Sequence, residues 1–91
     1  MRRIKDEYRA LDYIFAHEPL VTDIRYLTLI ATSYETARQI NSLAAELARR
    51  RYREREQRLK TCRQLYISEA QYYKLLGAFL RIARHVETAL D

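Results

Sequence analysis

The residues of this chain best suited to chemistry or recognition are arginine and tyrosine, and they converge on one stretch. Between Ala48 and Leu65 stand Arg49, Arg50, Arg51, Arg53, Arg55, Arg58, Lys60 and Arg63, against only Glu54 and Glu56. That stretch carries a formal +6 and the remainder −1, so the overall +5 and the isoelectric point near 9.6 belong to one segment. Basic residues are chosen unevenly, with 14 arginines against three lysines, and eight tyrosines form the other excess. Both side chains cover apolar area while keeping hydrogen-bonding capacity, which enriches them where protein surfaces meet. Guanidinium forks and phenol rings also hold phosphates and unstacked bases.

The spacing gives this stretch a geometry. At ~100° per helical residue, Tyr52, Leu59, Cys62 and Tyr66 share one narrow stripe. Arg51, Arg55 and Arg58 line one side of it, and Arg49, Arg53, Lys60 and Arg63 the other. An apolar seam between two cationic rails repels an identical seam laid parallel to it. It receives an acidic helix, or a phosphate backbone with bases free to stack. A salt-laced helix facing water, with ion pairs to glutamates elsewhere in the fold, is the plainer alternative.

Catalytic chemistry has little to work with. His17 and His85 are the only histidines; neither completes an H-E-x-x-H motif or follows a glutamate by three residues. Arg81 and His85 share a helical face at i,i+4 with Glu87 nearby, which reads as a surface pair. Cys62 stands on the seam among guanidinium groups that favour a thiolate, yet no histidine partners it. It reads as a small buried hydrophobe. No catalytic residue, metal ligand or cofactor is expected.

The elements that must position the arginines are helical. One glycine and one proline in 91 residues exclude turn-rich sheet folds, and one cysteine excludes an internal disulfide framework. No apolar run approaches the length of a membrane span. Ile4, Tyr8, Leu11 and Phe15 recur on one face and predict a helix over residues 2–17, ended by Pro19. Thr22 is the expected N-cap of a second helix, with Val21 and Tyr26 as its hydrophobic staple. Glu46–Arg50, Glu54–Arg58 and Glu56–Lys60 are acid-before-base pairs at i,i+4 that carry this helix on to residue 64. A rod over 23–64 would be ~60 Å long at 1.5 Å per residue. A capping-box spacing at Thr32 and Glu35 offers one place, residues 32–35, where it could break. Ser68 and Gln71 form a second capping box, with Ile67 and Tyr72 as staple, for a last helix over 69–90. Within it Gly77 marks either a close helix crossing or a tolerated surface position.

The expected fold is therefore all-α: one domain over 1–91, an antiparallel bundle of three helices around a long central one, or four if that helix breaks. The expected function is a non-enzymatic interaction module that docks an acidic protein surface on the arginine-bordered seam. The alternative is a nucleic-acid-binding helix that grips phosphates along residues 49–63. Small core size and an overhanging helix predict a homo-oligomer. A single thiol and the lack of an apolar block after the basic start predict an intracellular, cytoplasmic setting.

Overall fold

A computed structural model describes residues 4–91, and all regular structure among them is helical. A short 3₁₀ turn, Asp6–Tyr8, leads into α1 (Arg9–Ala16), and a second, Glu18–Leu20, carries Pro19 at its start. Then follow α2 (Ile24–Ile40), α3 (Ser42–Ala48), a π-helical turn (Arg49–Arg53), α4 (Arg58–Leu65) and α5 (Glu69–Leu90). Five helices thus replace the expected three or four. The helix expected from residue 2 begins as a 3₁₀ turn at Asp6; Arg2 and Arg3 lie outside the described residues.

The rod over 23–64 does not form. The described chain measures 36 × 27 × 24 Å, too short for a ~60 Å helix. Its first break is at Asn41, with residues 32–35 continuous inside α2. Asn41 leaves helical geometry (φ −149°, ψ 84°), and its side chain accepts from the Ala44 amide at 3.1 Å, capping α3. A short carboxamide competes with the backbone for such bonds, which is why asparagine favours caps over helix interiors. Thr32 and Glu35 make no capping box; Glu35 instead accepts from Arg38 and Gln39. The N-cap of α2 is Asp23 rather than Thr22, its carboxylate accepting from the Arg25 amide.

The second break spans residues 54–57, and here the charges turn the chain instead of extending the helix. Of the three expected i,i+4 pairs only Glu46–Arg50 forms, at 2.7 Å. Glu54 folds back onto Arg49, and Glu56 onto Arg50 at 3.1 Å. The backbone follows: the Glu54 amide donates to Arg49 O, the π-helical reach, and the Glu56 amide to Arg50 O. Arg55 completes the turn in the left-handed region at φ 52°.

The hub of the fold is α5, which contacts α1, α2, α3 and α4. Its start is as the sequence predicts. Ser68 Oγ accepts from the Gln71 amide at 3.1 Å, and Gln71 Oε1 accepts from the Ser68 amide at 2.8 Å. Ala37, Ala44, Ala48 and Ala83 are completely buried, small enough to bring α2, α3 and α5 close together. The wider part of the core is aromatic. Phe15 of α1 meets Phe79 edge-on at 5.0 Å, and Tyr34 and Tyr52 close around the pair. Tyr72 is buried while Tyr73 is half-buried, as adjacent residues on a helix must diverge. Gly77 marks no helix crossing: a Cβ built on it meets nothing within 4 Å.

Candidate functional site

The arginine-rich stretch is an elbow, and partners within the chain take up five of the seven cations of its two predicted rails, all but Lys60 and Arg63. Arg49 binds Glu46 and Glu54; Arg50 binds Glu46, Glu56 and Gln64. Arg53 grips both oxygens of Glu18 at 3.1 Å, and its guanidinium lies over the Tyr34 ring, 4.1 Å from the centroid. Arg51 donates to the Tyr72 hydroxyl at 3.2 Å and stands 3.8 Å from Asp12. Arg58 reaches the Tyr73 hydroxyl at 3.3 Å and Glu69 at 3.7 Å. Arg55 donates to Ala16 O at the end of α1, where a helix leaves carbonyls without partners.

These contacts set the electrostatics. The Arg49 guanidinium holds the Glu46 carboxyl below its usual range, helped by Arg50. The Thr61 hydroxyl, donating at 2.7 Å, does the same for Glu56, again with Arg50. Burial pushes the Tyr52 phenol well above its ordinary value, and the Asp12 charge beside it adds to that. Tyr34 is raised by burial as well.

The seam is divided too. Tyr52 and Cys62 face the core, whereas Leu59 and Tyr66 face outward. The elbow between Tyr52 and α4 resets the helical phase, so a stripe drawn through both ends corresponds to no single face. Cys62 is a buried free thiol whose Sγ lies 3.8 Å from Ser68 O.

What the elbow leaves exposed is one face of α4. Leu59, Arg63 and Tyr66 recur at i, i+4 and i+7, with Lys60 beside them. Leu59 is 58% exposed and Tyr66 94%. Among the described residues no carboxylate lies within 4 Å of the Lys60 or Arg63 cation. Tyr66 also ends α4 in the left-handed region (φ 56°, ψ 46°), its amide bonded to Cys62 O. Glycine holds that conformation without a steric cost, and tyrosine does not.

Of the ten predicted site residues, the structure therefore gathers Leu59, Lys60, Arg63 and Tyr66 on one outward face. It buries Tyr52 and commits Arg49, Arg51, Arg53, Arg55 and Arg58 to internal partners. The alternative of ion pairs reaching acids elsewhere in the fold is the one the arginines follow, but the sequence did not identify Asp12, Glu18 and Glu69 as those acids. No local signal marks these acids, since Asp12 and Glu18 lie 40 and 35 residues from the groups they hold. Among the described residues no cluster of three histidine, cysteine or acidic side chains is placed to hold a metal ion. No described helix is long and apolar enough to cross a membrane. No model of a known protein family, no curated protein and no solved structure matches the chain.

Proposed function

We propose that the chain is a non-enzymatic helical module that docks an acidic protein surface on the outward face of α4. Tyr66 carries this reading. It is a large aromatic ring almost fully exposed, at a backbone position that disfavours it, with no compensating contact inside the fold. Leu59 supplies a second apolar anchor, and Lys60 and Arg63 supply the charge that selects an acidic partner. Nucleic acid is the weaker reading, because Arg49, Arg50 and Arg53, the natural phosphate clamps, already hold carboxylates.

A labelled acidic amphipathic peptide and a single-stranded oligonucleotide, titrated against the protein, distinguish the two. The peptide should saturate, and Leu59→Ala with Tyr66→Ala should abolish its binding. Oligonucleotide binding that survives both substitutions and falls steeply between about 50 and 200 mM salt would replace this reading with phosphate recognition.

Self-association is the second part of the proposal, and it uses another surface. Ile24, Tyr26 and Leu90 surround a groove of about 310 Å³ between the start of α2 and the end of α5. Ile24 is 72% exposed there and Leu90 50%. Arg25, paired with Asp23 at 2.9 Å, and Glu87, paired with Arg84 at 3.3 Å, line the same exposed groove, so this patch carries both signs of charge and would exchange those surface pairs for contacts between copies. An apolar centre bordered by opposite charges is self-complementary, as a two-fold contact between identical copies requires.

A further inference from the structure

Gly77 is the only glycine in the chain, and nothing in the fold accounts for it. It lies in the middle of α5, where glycine costs ~1 kcal/mol relative to alanine. Its φ is not positive, and no neighbouring element comes near enough to need the missing Cβ. What it does form is part of the lining of an open groove of about 390 Å³ between the start of the chain and α5. Tyr8 and Tyr73 also line the groove. Both tyrosines are anchored: Arg58 donates to the Tyr73 hydroxyl, and the Arg84 guanidinium stands 5.8 Å from the centroid of the Tyr8 ring. Lys5, Lys74 and Arg81 line the same space, and none of its described lining residues is acidic.

We propose that this groove is a binding site for a small organic anion with an apolar body. The volume falls within the ~300–1,000 Å³ of small-molecule sites. The bare backbone at Gly77, with Ile4 and Ala78 also lining the space, offers the body an apolar bed, and three cations at one site select a carboxylate or phosphate head. The missing Cβ lets the body lie directly on the helix, the same use that glycine has wherever a ligand approaches backbone closely. The site is separate from the outward face of α4 and stands without it.

Calorimetric titration with adenosine monophosphate, octanoate and inorganic phosphate tests the site. Adenosine monophosphate tests an aromatic body and octanoate an aliphatic one; at least one should bind about tenfold or more tightly than phosphate. Gly77→Leu should fill the groove and weaken that binding by about tenfold or more, while the melting temperature holds or rises. Arg81→Gln, an exposed change with no bearing on the core, should weaken binding of the same probe in low salt. Failure of both organic anions to bind overturns the proposal. So does phosphate binding as tightly as either, or undiminished binding by a folded Gly77→Leu protein.

Discussion

The Tyr52 hydroxyl donates to Asp12 Oδ1 at 2.6 Å, joining the arginine elbow to α1 across 40 residues of sequence. Arg51 stands beside the same carboxylate, and its other nitrogen reaches Tyr72 on α5. Tyr52 and Arg51 together thereby tie three elements to one another. Asp12→Ala would leave the Tyr52 phenol without an acceptor and should destabilise the fold by about 1–3 kcal/mol. Tyr52→Phe removes donor and desolvation cost together and should cost about 1 kcal/mol. Urea unfolding of the two variants checks the order; equal stability to the parent in Asp12→Ala would show that the bond contributes nothing.

Alkali should loosen the fold before it affects the helices as such. Tyr52 and Tyr34 keep their protons in the folded state beyond the pH at which the unfolded chain releases them. The folded state then binds more protons, so stability is complete below about pH 10 and falls as pH rises above it. A melting temperature followed through that range should drop, and Tyr52→Phe should flatten the drop.

Acid acts through the glutamates of the elbow. Glu46 and Glu56 are held below their usual range when folded, so the unfolded chain takes up protons first as pH falls. Their contribution is present above about pH 4.5 and is lost as pH descends through the folded values. Glu46→Gln with Glu56→Gln should lower stability at neutral pH and leave a shallower acid limb in a thermal scan.

Tyr66→Gly should separate stability from function. Glycine accepts the left-handed conformation, so the variant should gain up to about 1 kcal/mol while losing the acidic peptide. A gain of stability with full retention of peptide binding would remove Tyr66 from the proposed surface.

Exchange of charge tests the two-fold contact between copies. Arg25→Glu alone and Glu87→Lys alone should each shift sedimentation from dimer toward monomer. Mixed, the two variants should restore the dimer, since each then offers the sign the other lacks. A parent that sediments as a monomer at micromolar concentration would dismiss this interface.

The parts of the fold legible in sequence were those specified locally. At the start of α5, Ser68 and Gln71 bond each other's backbone, with Ile67 and Tyr72 on either side, and nothing distant is needed. The division of residues 23–64 was not legible, because an acid-before-base pair at i,i+4 looks identical whether the chain continues or turns back. Glu54 and Glu56 each have an arginine on both sides in sequence, and each pairs with one on the N-terminal side, Arg49 and Arg50, where the chain turns back. Asn41 did carry a signal, a short carboxamide between Ile40 and Ser42, but Ala44 three residues on completes no capping box, so the signal is weak in sequence. The exposure of Leu59, Lys60, Arg63 and Tyr66 came from the elbow, which no periodicity through the segment could reveal.

The long-range partners of Arg51, Tyr52, Arg53, Arg55 and Arg58 lie towards opposite ends of the chain, which favours an order of assembly. Glu18, Asp12 and Ala16 O belong to or adjoin α1, while Tyr72, Tyr73 and Glu69 belong to α5. Isolated ion pairs in water are too weak to close loops of that length unaided. The helices flanking the elbow should therefore collapse onto their alanine and phenylalanine contacts first, with these guanidinium groups locking in afterwards. Until they do, Arg51, Arg53, Arg55 and Arg58 stand uncovered, and their charge should repel other copies during the interval when apolar surface is most open to aggregation.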